Sequence, residues 1–477
     1  MKNAKQLPFW IFSLSVVFGL TLPVLIQDAM FQDAMLYSSV SHNLSQGIGT
    51  FWFPQYSKLN IAGLSSFHEH PPLVFGIQSL FFKVFGSSIY VERFYTFLMI
   101  IITVILINHL WKMLFPPPDG QYKLGWLPVL FWISIPVCFW SYRSNMMENT
   151  MAIFDLLAVI FFLRVVWLGK NEWLWMVASG LMIFLASFSK GIPGLFPLAA
   201  PFIYWIVWRK NSFSGCVRQT LILTAVPVLI YFILTLFPES RESLSNYVFK
   251  RLLMRVDVMP TADYRLEILW RLVKEMIPLI IMVAVVLVIA TFKKTTSVIS
   301  SNLKMILFFM LVGLSGSAPM TLTMVQKGWY LTPAFPYFAI GFALIISPII
   351  SGWVERINPN NKGFAIFRIV TLLMAAGVII ITVSQYGNVS REKETVADVY
   401  EIGKIVPRQS DLTCEPDLYD EYNFILEGFL VRYFNISLDP NEHNDFYLKQ
   451  KSSSAIVPDG YEPVDISLKK FELYRKR

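Results

Sequence analysis

Glu69 lies between two histidines, His68 and His70, immediately before two prolines in the stretch FHEHPP. Imidazole and carboxylate groups can bind a divalent metal such as zinc, and they can also transfer protons. The remaining histidines form no ligand motif with this stretch, which argues against a closed structural zinc site. Three interpretations stay open: an open metal site at His68 and Glu69 that a ligand phosphate or water completes, a catalytic site, and a solvated turn.

Asp33 and Tyr37 are four residues apart in QDAMLYSSVSHNL, a spacing that puts both side chains on one face of a helix. The functional interpretation of Asp33 is a general base. The alternative is that its carboxylate only stabilises the N-terminus of this helix. Asp28 precedes it by five residues and competes for the catalytic role.

Three later segments also carry ionisable side chains that could take part in chemistry. Glu148 lies in RSNMMENTMAIFD, with Asp155 two turns further on the same helix face, where we expect it to need a partner inside the bundle. Lys190 and Lys327 are each followed by glycine, and Tyr330 follows the second lysine. Lysines at helix entrances with free backbone N–H groups suit a bound phosphate. The alternatives are a helix-capping role for Glu148 and snorkelling of the lysines to the membrane surface.

Composition indicates that these residues are held by membrane helices. The chain has 477 residues, of which 55% are hydrophobic, and 40 are Phe; its mean hydropathy is +0.53. Such values exclude an ordinary soluble protein and predict an all-α polytopic membrane protein. About eleven apolar segments are long enough to cross a membrane: 8–27, 92–111, 124–140, 149–168, 173–189, 191–208, 220–237, 276–292, 303–322, 331–350 and 367–385.

Lysines and arginines in the short loops predict the orientation of these helices. If the N-terminus is cytoplasmic, every short loop on the cytoplasmic side is basic, as the positive-inside rule requires. The same orientation puts 28–91, 141–148, 189–191, 238–275, 323–330 and the tail after 385 on the outer side. Any chemistry should therefore face outward. The net charge of +8 reflects this topology and attraction to lipid phosphates, not nucleic-acid binding.

The pattern predicts two domains. Residues 1–385 form a transmembrane catalytic domain, with a first outer loop at 28–91 and a second at 238–275. In the first loop, 32–44 and 71–86 are predicted to be interfacial helices. The second loop is rich in Lys and Arg, which either contact an anionic ligand or lipid headgroups or form a solvated helical face. Residues 386–477 form a small α/β extracytoplasmic domain.

These clusters, in this order, resemble the GT-C superfamily of integral-membrane glycosyltransferases. Within it they are similar to the group of dolichyl-phosphate-mannose protein mannosyltransferases and bacterial aminoarabinose transferases of lipid A. The matched features are Asp33 with Tyr37, Glu69-His70-Pro71-Pro72-Leu73, Arg93 at the second helix entrance, Glu148, Ser189-Lys190-Gly191, and Lys327 with Tyr330, Leu331 and Pro333.

The resemblance implies an inverting transfer of a sugar from a polyprenyl-phosphate donor to a lipid, protein or glycan acceptor, at the outer face of a plasma (inner) membrane. It makes Asp33 and Glu148 the catalytic residues, with Asp33 as the base. It makes His70, Arg93, Lys190, Lys327 and Tyr330 the residues that bind the donor phosphate. His68 and Glu69 would hold a divalent metal, the one cofactor expected.

One departure from the family pattern affects charge. His70 stands where the aminoarabinose enzymes have lysine, and imidazole, with a reference pKa of ~6.5, is only partly cationic at neutral pH. The alternative functions are a transporter or flippase of a lipid-linked saccharide, which predicts ionisable residues along a transmembrane path, and an inactive scaffold with the same fold.

Overall fold

The computed structural model describes residues 5–60, 64–169, 171–210, 212–253, 260–293, 302–419 and 424–477. Residues 254–259 of the predicted second outer loop, including its cation Arg255, lie outside the described residues.

The chain is mainly helical. The helices are α1 (Leu7–Leu25), α2 (Gln32–Ser45), α3 (Leu73–Phe85), α4 (Tyr90–Leu114), α5 (Trp126–Ile133), α6 (Pro136–Tyr142), α7 (Met147–Leu168), α8 (Glu172–Lys190), α9 (Ala200–Trp208), α10 (Phe213–Thr235), α11 (Pro238–Ser245), α12 (Glu267–Phe292), α13 (Leu303–Ser317), α14 (Phe335–Arg356), α15 (Lys362–Ser384), α16 (Lys393–Ile405) and α17 (Ile425–Phe434). Short 3-10 helices lie at Gly120–Leu124, Ile192–Ala199, Ala318–Leu322, Gly328–Ala334 and Pro416–Leu418, and a π-helical segment at Asn246–Leu252. The strands are β1 (Asp411–Cys414), β2 (Ser437–Asp439), β3 (Phe446–Gln450), β4 (Tyr461–Pro463) and β5 (Phe471–Lys476).

The apolar helices confirm an integral membrane protein, with two changes to the predicted spans. By length and composition, nine helices within the described residues can cross a membrane, or ten if a bent pair is one span. The bent pair replaces the predicted straight span 124–140: the helical segments Gly120–Ile133 and Pro136–Tyr142 meet at 87°. Proline lacks an N–H and disfavours helical backbone before it, and Ile135 is extended. Segment 191–208, with prolines near its start, is a 3-10 turn followed by the short helix α9.

The described chain forms two compact units. The first comprises Met1–Pro23, Thr96–Arg143 and Met147–Ser384, and contains most of the apolar helices. The second comprises Val24–Tyr95, Ser144–Met146 and Gln385–Arg477. The predicted first outer loop therefore groups with the C-terminal tail.

The second unit confirms the predicted small α/β domain. Its sheet has the strand order β2-β1-β3-β5-β4; β1 runs parallel to β2 and β3, and β5 antiparallel to β3 and β4. Buried side chains from the sheet, α16 and α17 form one hydrophobic core with Ala34 and Met35 of α2. Burial of these shared apolar side chains fixes α2 against the sheet domain.

Two predicted helices of the first outer loop are confirmed. The segment 32–44 is helix α2, and 71–86 contains α3, which begins after Pro72 and ends at Gly86. Gly86 ends α3 with a φ of 81° and a ψ of −163°, a backbone conformation that residues with a side chain rarely adopt.

Candidate active site

Asp33 lies in the first turn of α2, the position at which a carboxylate interacts favourably with the helix dipole. Its side chain is partly accessible, whereas every residue from Ala34 to Asn43 is buried. The first turn of α2 therefore offers an acid at the edge of an otherwise enclosed helix. This geometry suits a general base that must reach an incoming acceptor.

Tyr37 and His70 meet inside the second unit. The Tyr37 hydroxyl lies 3.2 Å from Nε2 of His70, and the two rings pack edge to face with centroids 5.6 Å apart. Both residues are buried, His70 with 8% of its surface exposed. The contact joins two of the sequence motifs and fixes the orientation of the imidazole.

His68 points into the protein. Its Nε2 lies 2.7 Å from the Ser66 hydroxyl, and its ring packs perpendicular to that of Phe53. Because His68 and His70 are both buried, the interpretation of FHEHPP as a solvated turn is wrong for the two histidines. Among the described residues, no three His, Cys, Asp or Glu side chains come together as a metal site. A metal at Glu69, which is partly accessible, would depend on oxygens from its ligand.

Asp28, the competitor for the catalytic role, is committed to structural contacts. Tyr400 donates a hydrogen bond of 2.6 Å to its Oδ2, and Tyr433 donates to its Oδ1. The Ala29 N–H also donates to Oδ1, at 2.6 Å. These contacts occupy the carboxylate and leave Asp33 as the better base candidate.

Arg93, predicted to bind the donor phosphate, lies in the same buried network. Its Nε donates to the Gln27 carbonyl at 2.9 Å, and its guanidinium lies 3.3 Å from Glu92 and 3.8 Å from Asp28. Only 4% of its side chain is exposed. Two carboxylates thus already neutralise this cation, and a structural role accounts for it without a phosphate.

Glu148 and Lys190 form a buried ion pair in the first unit. Glu148 lies in the first turn of α7, Lys190 ends α8, and Nζ lies 2.8 Å from Oε1. The side chains are 0% and 6% exposed. The lysine Nζ also lies 5.6 Å from the centroid of the Tyr330 ring. Burying charges among membrane helices is costly, so such a group is a candidate functional site.

Two side chains of the second outer loop, Tyr247 and Arg271, pack against the glycines that follow Lys190 and Lys327. Gly191 has a φ of 92°, and a Cβ built there would lie 1.7 Å from the Tyr247 hydroxyl. A Cβ on Gly328 would lie 2.2 Å from Nε of Arg271. Glycine is therefore required after Lys190, because a side chain at a φ of 92° is strained. After Lys327 the guanidinium of Arg271 packs against the bare backbone, and a side chain at Gly328 would have to displace it.

Arg271 and Tyr247 were missed by sequence reasoning as site residues. The cation-rich second outer loop was the sequence signal that could have identified Arg271. No sequence feature singled out Tyr247. Lys327 is partly buried, with Nζ 5.9 Å from the Trp329 ring centroid. Arg271 thus places a second positive charge beside the Lys327-Gly328 turn.

Asp155 is fully buried in α7, as predicted. Neither of its carboxylate oxygens has a hydrogen-bond partner in the part of the chain that the structure describes. The buried Tyr337 of α14 lies near enough to interact with it electrostatically, so the expected partner inside the bundle is present only in this weaker form.

Comparison with known proteins identifies the fold. Residues 69–237 match the family model of dolichyl-phosphate-mannose-protein mannosyltransferases, a range that includes Glu69, Glu148 and Lys190. The apo structure of ArnT from Cupriavidus metallidurans superposes with a TM-score of 0.61 over 98% of this chain and 96% of that chain, at 13% identity. The chain has the GT-C fold.

Two further structures share the GT-C fold. ArnT from Cupriavidus metallidurans bound to undecaprenyl phosphate gives a TM-score of 0.59 at 13% identity, over 99% of this chain and 98% of that one. The oligosaccharyltransferase of Archaeoglobus fulgidus gives 0.53 at 12% identity, over 90% of this chain but 64% of that one. No curated protein sequence matches the chain.

Proposed function

We propose that this GT-C protein is a glycosyltransferase that moves a sugar from a polyprenyl-phosphate donor to an acceptor, with inversion at the anomeric carbon, at the outer face of the plasma membrane. The observation that carries the proposal is the buried ion pair of Lys190 and Glu148, with the partly buried Tyr330 ring beside the lysine. A protein with the same fold, ArnT, is known bound to undecaprenyl phosphate, and a lysine so held is suited to such a phosphate.

Bond breaking in this reaction places negative charge on the donor phosphate. Lys190 supplies a positive charge that Glu148 orients through their 2.8 Å contact, and Lys327 and Arg271 supply two more at the neighbouring turn. Preorganised charges of this kind stabilise a leaving group without reorganising during the reaction. A phosphate that leaves as a stabilised anion needs little help from an acid.

Bond formation requires a nucleophile on the acceptor. Asp33 accepts its proton as the nucleophile attacks the anomeric carbon, and the electrons of the carbon–oxygen bond pass to the phosphate. One displacement inverts the configuration. His70, oriented by Tyr37, contributes positive charge to the donor phosphate when protonated.

A divalent metal at Glu69 remains part of the proposal. Mg²⁺ binds through one or two carboxylates together with substrate phosphates, which fits an accessible glutamate without a full set of protein ligands. Treatment of the purified protein with a chelator tests it: we expect transfer to stop and to return with added Mg²⁺ or Mn²⁺. Undiminished transfer in the chelator would remove the metal from the mechanism.

The second candidate function is transport of a lipid-linked saccharide. Asp155, a fully buried acid within α7, is the observation that favours it. Detergent micelles separate the two candidates, because a micelle has no two sides. The purified protein should convert a polyprenyl-phosphate sugar to polyprenyl phosphate in micelles containing a membrane-lipid extract; absence of turnover there, with transport in vesicles, would favour the transporter.

Mass spectrometry of membrane lipids provides the cellular test. Cells that lack the gene should accumulate a polyprenyl-phosphate sugar and lose one glycoconjugate. If neither lipid changes between deletion and parent cells, the proposed reaction is wrong.

A further inference from the structure

The first outer loop, which carries Asp33 and His70, is held at both ends by adjacent residues of one helix in the C-terminal domain. We infer that Arg432 and Tyr433 of α17, with Tyr400 of α16, are positioning residues that hold Asp33 in its catalytic place. The catalytic part of this inference rests on the proposed function.

Tyr433 and Tyr400 hold the beginning of the loop through Asp28. Each tyrosine donates a hydrogen bond to a different oxygen of this carboxylate, and the two rings stack at 5.4 Å with an interplanar angle of 17°. The backbone is tied as well. The Asp28 N–H donates to the Asn388 carbonyl at 2.8 Å, and the Ser390 N–H donates to the Asp28 carbonyl at 2.9 Å. Asp33 follows this anchored residue within five positions.

Arg432 holds the end of the loop through Glu92. Its guanidinium donates to both carboxylate oxygens, at 2.7 Å and 3.2 Å. It also donates to the carbonyls of Ser87 at 3.3 Å and Ser88 at 3.0 Å. The Arg432 side chain is 1% exposed and that of Glu92 is fully buried. The buried guanidinium and carboxylate form a planar pair with two parallel hydrogen bonds, and such a pair tolerates little displacement. The pair therefore fixes the position of Glu92 relative to α17.

The middle of the loop contacts the same helix. The Ser39 hydroxyl of α2 lies within hydrogen-bond distance, 3.3 Å, of the Gly428 carbonyl of α17. Met35, two residues after Asp33, shares the hydrophobic core with Phe429 and Leu430. Three separate contacts therefore join α17 to the start, the body and the end of the segment that contains Asp33.

A loop held in this way should lose turnover when it is loosened, because a general base misplaced by about 1 Å can slow a reaction roughly a hundredfold. Donor affinity should change little, since Lys190, Lys327 and Arg271, three of the four cations assigned to the phosphate, belong to the first unit and only His70 belongs to the loop. We expect Tyr433→Phe and Arg432→Lys each to lower kcat about tenfold while KM for the donor stays within about twofold of wild type. Lys404→Met is the matched control, because it removes an exposed α16 ion pair with Glu401.

Amide hydrogen exchange on the full-length protein tests the clamp independently of any transfer. Exchange over residues 32–45 should accelerate at least about tenfold in Tyr433→Phe and Arg432→Lys, remain at the wild-type rate in Lys404→Met, and not change in α14 of any variant. Accelerated exchange together with the selective fall in kcat supports the inference. If Arg432→Lys does not fold, Tyr433→Phe, which keeps every charge, carries the test.

Unchanged exchange over residues 32–45 in Tyr433→Phe would overturn the clamp even if the enzyme proves active. A kcat that falls only in proportion to the folded fraction would also overturn it. Failure of the proposed function has a different signature: the wild-type protein would show no transfer, while the exchange experiment would still decide whether α17 holds α2.

Discussion

The buried pair of Lys190 and Glu148 allows a structural role to be separated from a catalytic one. Replacing Lys190 by Met leaves a carboxylate that is 0% exposed, 2.8 Å from where the ammonium was. Replacing Glu148 by Gln leaves an ammonium that is 6% exposed. Breaking a buried pair on one side typically destabilises a protein by about 3–5 kcal/mol, because one charge remains uncompensated.

The double variant Lys190→Met with Glu148→Gln should behave differently. Removing both charges together is often neutral for stability, so the double variant should recover most of the melting temperature that either single variant loses. It should not recover transfer. The donor phosphate still lacks its cation, and loss of one such stabilising group costs about 10²–10³ in kcat.

The assay pairs two measurements on the same purified samples: thermal melting, and release of polyprenyl phosphate from the donor. Lys112→Met serves as the control, since this exposed lysine is predicted to lie on the cytoplasmic side and should change neither. A double variant that regains both stability and wild-type turnover would show that the pair is only structural, and would refute the assignment of Lys190 to the phosphate.

Three further predictions concern single residues. Burial raises the pKa of Glu427 from 4.5 to about 7. The folded protein therefore binds the proton more tightly than the unfolded chain, and its free energy of unfolding falls by about 3 kcal/mol as pH rises from about 4.5 to 7. Glu427→Gln should abolish this slope in melting curves taken across that range, and a slope that persists would assign it to another group. Transfer by His70→Lys should depend less on pH than transfer by the wild type, because a lysine stays charged where an imidazole loses its proton. An intact pH profile in His70→Ala would remove His70 from the site. Gly191→Ala should destabilise the protein and slow transfer, since the new Cβ would lie 1.7 Å from the Tyr247 hydroxyl. Gly377→Ala is the control, because a Cβ at Gly377 would have no other atom within 4 Å.

Periodic features of the sequence were sufficient to predict the helices. The four-residue spacing of Asp33 and Tyr37 predicted α2, and the proline pair before Leu73 predicted the start of α3. These signals act within a few residues, which is why sequence alone could reveal them. The break before Pro136 was missed, since 124–140 was predicted as one span, although proline within an apolar run interrupts the backbone hydrogen bonds of a helix.

Side-chain pairings across the fold could not be predicted in the same way. Tyr37 and His70 are 33 positions apart, and Arg432 and Glu92 are 340 positions apart, so their contacts depend on tertiary packing. The family resemblance made Arg93 a candidate phosphate ligand, whereas the neighbouring carboxylates account for its charge structurally. His68 is buried against Ser66 and Phe53. Neither of these residues belongs to a metal-binding or catalytic motif, so the sequence did not indicate the contact.

The central claim is that Asp33 is the base of a transfer from a polyprenyl-phosphate sugar. The most direct measurement compares membrane lipids, by mass spectrometry, in deletion cells that express either the wild-type chain or Asp33→Asn at equal levels. We predict that the wild-type chain removes the accumulated polyprenyl-phosphate sugar and restores the missing glycoconjugate, while Asp33→Asn does neither, yet still binds the donor when purified. Restoration of the glycoconjugate by Asp33→Asn would contradict the claim.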